Sequence, residues 1–316
     1  PLRVGSFMAK FRSHSRGDRQ SMSGPEIDRR HLLMGLCFAG TACAGTLQAP
    51  TLRSGSKARL VFTDWSGPAL PVWTYRPTQA GPHSPLVFVM HGQGRNAEEY
   101  RDQWAPVAEA ARLNVAVPEF SRADFPDARS YNQGNRYSLD GASIDQALWS
   151  FSALEPMFDA LRMTMGLTAS RYSIYGHSAG AQFVHRFLMF EPAARVHRAV
   201  SANAGWYTMP DPNIPTPFGL DGEGISDDLV SNWLARPLTI LLGTADTDMT
   251  QSSLNRSPEA MVQGRHRLDR GRAFLEAGRV RAEALAVPLG WRLAYAPGVA
   301  HDNTRMAPHA VAHLEV

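Results

Sequence analysis

Short apolar runs that alternate with longer stretches of helical periodicity predict an α/β protein. Its sheet is expected to be mostly parallel, of about eight strands, with helices on both faces. Two observations carry this: the strand–helix rhythm that begins at Ala58, and an initial strand pair joined by Asp64-Trp65-Ser66-Gly67-Pro68, a turn-rich stretch typical of a hairpin. The composition agrees, because 316 residues with 44% hydrophobic and 19% charged side chains exclude a disordered or collagen-like chain.

In chain order, residues 1–44 read as an address. Arg29-Arg30-His31-Leu32-Leu33 opens a short apolar run that ends in Ala42-Cys43-Ala44, the A-x-A pattern after which signal peptidase cuts. The paired arginines resemble a twin-arginine signal, so export to the periplasm or beyond is expected, with a mature start near Gly45. The run falls short of the ~20 residues that span a bilayer, and no stable membrane anchor is expected. A buried or fraying N-terminal helix is the plain alternative. Both cysteines, Cys37 and Cys43, lie in this leader, so the remainder offers no thiol for a disulfide, a thiolate metal site or a nucleophile. The leader also holds seven Arg/Lys against three Asp/Glu, leaving 25 against 26 in residues 45–316. A near-neutral body gives no sign of nucleic-acid binding. The only lysines are Lys10 and Lys57, and neither stands in a phosphate-binding loop.

Residues 45–316 are read as one domain. Strands are expected at Ala58–Thr63, Pro71–Tyr75, Leu86–Met90, Asn114–Val117, Arg171–Tyr175, His197–Ser201, Leu238–Leu242 and Trp291–Tyr295. Helical spacing marks Ala97–Ala111, Ile144–Met165, Ala181–Phe190 and His266–Ala286. The arginines of the last helix (Arg265, Arg267, Arg270, Arg272, Arg279 and Arg281) are most simply its wet face. Residues 205–235 break the rhythm with Pro210, Pro212, Pro215, Pro217, Gly219, Gly222 and Gly224, and are read as a lid-like loop.

Candidate chemistry falls at strand ends. Gly176-His177-Ser178-Ala179-Gly180 fits G-x-S-x-G between a strand and a helix, the setting of a nucleophile elbow. A serine alcohol is a poor nucleophile unless a base takes its proton and an acid orients the base. Two later strands lead to suitable partners: Gly243-Thr244-Ala245-Asp246-Thr247-Asp248 and Gly298-Val299-Ala300-His301-Asp302. Asp246 and Asp248 are both candidates for the acid.

These three segments resemble the α/β-hydrolases, and within them the esterase branch of polyhydroxybutyrate depolymerases and feruloyl esterases. The resemblance covers about residues 58–313. It implies Ser178 as nucleophile, His301 as general base and then acid, and Asp246 as the carboxylate that holds the imidazole. It also implies an oxyanion hole from the amides of Gln93, in His91-Gly92-Gln93-Gly94, and of Ala179. No cofactor or metal is implied, and the substrate would be a small-molecule or oligomeric ester. With neither disulfides nor an added polymer-binding domain in this sequence, soluble esters or oligomers are favoured over crystalline polymer. Trp206 and Tyr207 follow a strand at the active edge and are candidates for the acyl-pocket wall, with core packing as the alternative for Trp206. His91 is expected to brace the oxyanion loop. His309 and His313 have a spacing that can hold zinc on a helix, but lack the glutamate of H-E-x-x-H. Three rivals stay open: a peptidase on the same fold, a non-catalytic binding protein on that fold, and a dinucleotide-binding protein using Gly92-Gln93-Gly94-Arg95-Asn96-Ala97 with Glu119 as the distal acid.

Overall fold

The computed structural model describes residues 52–314. The expected leader, 1–44, lies outside the described residues. Eight strands form one sheet: β1 (Ser56–Phe62), β2 (Leu70–Arg76), β3 (Leu86–Met90), β4 (Asn114–Pro118), β5 (Tyr172–His177), β6 (Val196–Ala202), β7 (Leu238–Gly243) and β8 (Trp291–Ala296). Their order is β1-β2-β4-β3-β5-β6-β7-β8. β1 and β2 form the expected hairpin, with Leu60 opposite Val72, and the Trp65 indole donates to the Pro68 carbonyl (2.8 Å) across its turn. β2 runs antiparallel to β4, and every pairing from β4 to β8 is parallel.

Continuous apolar strands have both faces covered, and two core layers result. Leu86, Phe88 and Met90 of β3 face one layer, with Ile174 of β5 and Ile240 of β7. Val87 and Val89 face the other, with Tyr175, Val200 and Leu241. Helices α1 (Ala97–Ala111) and α7 (Asn303–Val311) cover the second layer through Trp104, Ala108, Met306 and Ala310. The first is covered by α2 (Leu154–Met165), α3 (Ala179–Phe190), α4 (Asp227–Ala235) and α6 (Arg267–Ala284), with the short α5 (Pro258–Gln263) beside α6.

Three expectations need correction. The helix expected over Ile144–Met165 begins only at Leu154. Before it lie two 3₁₀ turns, Gln146–Leu148 and Ser150–Ala153, separated by Trp149 in an extended conformation (φ −67°, ψ 140°), because the Asp145 carboxylate caps the first turn at Ala147. The loop expected over 205–235 ends in α4, whose N-cap Ser226 accepts from the Leu229 amide (3.2 Å). Finally, α6 does not carry all its arginines on a wet face. Arg267 and Arg270 are buried, whereas Arg265, Arg272 and Arg279 are exposed.

The topology also places a crevice. From β3 the chain moves through α1 to β4 on one side, and from β4 it crosses back through α2 to β5 on the other side of β3. The strand order therefore reverses between β3 and β5, and the carboxyl ends of these two strands open apart, where ligands enter doubly wound sheets.

Candidate active site

Ser178 stands at the carboxyl end of β5, in a backbone conformation (φ 58°, ψ −115°) that an L-residue rarely adopts. The surrounding glycines make the turn possible. A Cβ on Gly176 would lie 2.1 Å from the Gly180 carbonyl oxygen, and one on Gly180 would lie 2.0 Å from that of Met90. The Ser178 amide is tied to the Ala202 carbonyl at the end of β6 (3.0 Å). Ala179 opens α3, so its N–H has no acceptor within the helix and is available to a ligand.

Across the crevice, the β3–α1 loop is pinned from behind. His91 Nε2 accepts from the Phe120 amide (3.1 Å), and its Nδ1 meets the Gly92 carbonyl (3.0 Å). Burial pushes this imidazole down to about 3, so His91 is a neutral brace, as the sequence suggests. Arg95, at φ 61°, holds the loop with donations to the carbonyls of Phe120 (2.9 Å), Phe125 (3.0 Å) and Asp127 (2.9 Å). Gln93 is exposed at the tip of this loop, and its carbonyl accepts from Arg122 (2.6 Å). Glu119, the distal acid of the dinucleotide pattern, is taken up by the Trp73 indole (2.7 Å).

His301 and Asp246 arrive from the ends of β8 and β7. Their loops are zipped together: the amides of Thr244 and Ala245 donate to the carbonyls of Ala296 (3.1 Å) and Val299 (3.0 Å). Asn203, fully buried at the end of β6, joins both loops by accepting from the Gly243 amide (2.8 Å) and donating to the Ala300 carbonyl (3.2 Å). The result is a 2.8 Å contact between His301 Nδ1 and Asp246 Oδ2. Asp248 points elsewhere, accepting from the amide and hydroxyl of Thr250 (2.7 Å each). Asp246 is buried, and its other oxygen accepts from Arg267 (3.3 Å), which also donates to Ser253 (2.9 Å). Burial, reinforced by the Arg267 charge, holds His301 below the ordinary histidine value, while Asp246 opposes that shift. The resting imidazole is therefore neutral at neutral pH, with Nε2 as its other ring nitrogen.

Sequence reasoning missed two residues here. His177 packs its buried ring against His301 (centroids 4.5 Å apart), and its Nδ1 meets the Tyr100 hydroxyl (3.2 Å). Arg267 reads as solvent-facing from its place among the arginines of one helix. Its only sequence cue is its place in the first turn of a helix that follows the acid loop.

Ser178, Ala179, Gln93 and Trp206 line a single cleft of about 480 Å³. Tyr207 does not share it. That ring is buried against Phe274 (centroids 4.4 Å apart, nearly parallel), and Gln263 clamps its backbone through two hydrogen bonds. Adjacent side chains diverge here, so Trp206 meets the cleft and Tyr207 the core. His313 of the pair read as a zinc spacing lies beside Arg292 (3.4 Å), a cation that disfavours a metal there.

Comparison with solved structures places this geometry. A poly(aspartic acid) hydrolase-1 from Sphingomonas sp. KT-1 superposes with a TM-score of 0.81 at 46% identity, covering 83% of this chain and 99% of that one. The LpqC poly(3-hydroxybutyrate) depolymerase from Bordetella parapertussis gives 0.76 at 34% identity, covering 82% and 89%. An S-formylglutathione hydrolase from Agrobacterium tumefaciens shares the fold (TM-score 0.52, 16% identity, covering 84% and 95%). No family model and no curated protein sequence matches the chain. Fold and comparisons together define an α/β-hydrolase, in the class of the carboxylic ester hydrolases. Within that class, the chain belongs to the branch that contains the Sphingomonas hydrolase and the Bordetella depolymerase.

Proposed function

We propose that the chain cleaves carboxylic esters through an acyl-enzyme on Ser178. The observation that carries this is the His301–Asp246 contact at the sheet edge that also holds the Ser178 elbow. Ser178 Oγ adds to the substrate carbonyl as its proton passes to His301 Nε2. The tetrahedral oxyanion takes donations from the amides of Gln93 and Ala179, which can supply several kcal/mol of transition-state stabilisation. Collapse expels the alcohol, protonated by His301, and leaves an acyl-serine. Water, deprotonated by the same imidazole, then releases the acid. Asp246 fixes the tautomer and stabilises the imidazolium without itself taking the proton.

The acyl side is read as polar and oligomeric. Asn132, Gln182, Ser253 and Asn255 line the cleft in company with Trp206, in place of an apolar tunnel suited to a long alkyl chain. Amide cleavage is the second reading, favoured by 46% identity to a protein described as a poly(aspartic acid) hydrolase. The test is a hydrolysis screen with p-nitrophenyl esters, hydroxybutyrate oligomers and aspartate oligomers, run on the wild type and on Ser178→Ala. The substitution should lower kcat by several orders of magnitude on every substrate while the fold persists. Wild-type turnover by a clean Ser178→Ala preparation overturns the mechanism, and turnover of the aspartate oligomers alone selects the second reading.

A further inference from the structure

Beside Ser178, three side chains fix the direction of one another's hydrogen bonds. Trp206 can only donate, and its backbone N–H and indole Nε1–H lie 3.2 and 3.0 Å from one atom of the Gln182 amide. That atom must be the oxygen. The Gln182 nitrogen then faces the Asn132 amide, with which it is in hydrogen-bond contact. A nitrogen donor there requires the Asn132 oxygen as its acceptor. The free end of the chain is therefore Asn132 Nδ2, with a remaining N–H to give. Asn132 is 2% exposed, yet it lines the same cleft as Ser178. The outer atom of its amide receives no hydrogen bond from a donor among the described residues and is not sealed from solvent. Arg186 holds the arrangement from behind, donating to the backbone carbonyls of Gln182 (3.1 Å) and Asn132 (3.4 Å).

A ligand that fills the cleft displaces water from this donor, and one that lacks an acceptor leaves it unpaired, so the site discriminates against such ligands. We propose that Asn132 forms a subsite donating a hydrogen bond to a second carbonyl oxygen in the acyl part of the substrate. The cleft then selects acyl chains that carry a further ester or amide linkage over plain alkyl or ether chains. This rests on the acyl-enzyme reading above and deepens it by naming what the acyl group must present.

The test compares p-nitrophenyl 3-acetoxybutanoate with p-nitrophenyl 3-ethoxybutanoate, which differ by the one carbonyl oxygen. Release of p-nitrophenol is followed, and the kcat/KM ratio is taken within each enzyme so that overall activity cancels. The wild type should favour the acetoxy ester about tenfold, the value of one well-placed hydrogen bond. Asn132→Asp keeps the acceptor for Gln182 but turns the outer atom into an acceptor, and the ratio should fall to one or below. Gln182→Glu acts from a distance. Its carboxylate still accepts from Trp206 but now also accepts from Asn132, which must turn its oxygen toward the cleft, and the ratio should fall in the same way. A ratio near one in the wild type, or one that survives Asn132→Asp, overturns the subsite while leaving the esterase reading standing. Absence of turnover of both esters and of p-nitrophenyl acetate by the wild type overturns the esterase reading, and the subsite with it.

Discussion

At the scale of single residues, the choice between two neighbouring carboxylates decides the proposed mechanism. Asp246 is buried and shared between His301 and Arg267, whereas Asp248 caps an exposed turn at Thr250. Asp246→Asn should therefore lower kcat roughly ten-thousandfold by freeing the imidazole to take the wrong tautomer. Asp248→Asn should leave kcat nearly unchanged and lower stability only slightly. Saturating kinetics on the two variants settles it, and a dead Asp248→Asn beside a working Asp246→Asn reverses the assignment. The positions of Ser178, Asp246 and His301 were legible because each follows the carboxyl end of a strand, which has a known address in this architecture. Tyr207, Arg267 and Arg270 were not. Local pattern cannot say which of two adjacent side chains faces the core, and an arginine reads as solvated until the carbonyls and carboxylates that receive it are placed. Arg270, for example, donates to the carbonyls of Gly264 and Asn255, from loops that its own helix does not contain.

At the scale of elements, the elbow depends on backbone approaching backbone. Gly180 is the sharper case, because the carbonyl its Cβ would strike belongs to β3, a central strand with no room to retreat. Gly180→Ala should cost about 3 kcal/mol, at the upper end of overpacking penalties, and lower Tm by roughly 6–12 °C for a domain of this size. Thermal unfolding by circular dichroism checks it, and an unchanged Tm would mean that the elbow is looser than its contacts indicate. The strands were legible nearly to the residue, since apolar runs bounded by turn residues leave little freedom. Helix starts were less so. Ser226-Asp227-Asp228 announces α4 by its cap and its two acids, but the prolines and glycines just before it hid the signal.

At the scale of the whole molecule, the two core layers enclose imidazoles that can exist only as neutral rings. His91 and His185 each accept a backbone N–H at Nε2, from Phe120 and Thr208 respectively, which requires a lone pair there. Burial pushes His91 to about 3 and carries His185 and His177 well below the ordinary value. A base whose folded pKa lies below its unfolded one adds stability that is fully present above about 6.5 and is lost as pH falls, since only the unfolded chain takes up the proton. Three such groups should remove up to about 4 kcal/mol per pH unit below that point. Urea midpoints measured between pH 7 and 5 should fall steeply, and a flat profile would show that these rings reach water. The zipper between the loops after β7 and β8 also sets an order in time. The elbow and oxyanion loop lie within the first 180 residues, but the imidazole that would arm the serine is residue 301 and depends on a carboxylate 55 positions earlier. During synthesis the proposed nucleophile would thus leave the ribosome well before its proposed base, and the nascent chain would stay chemically silent toward the esters around it until residue 301 has emerged and folded.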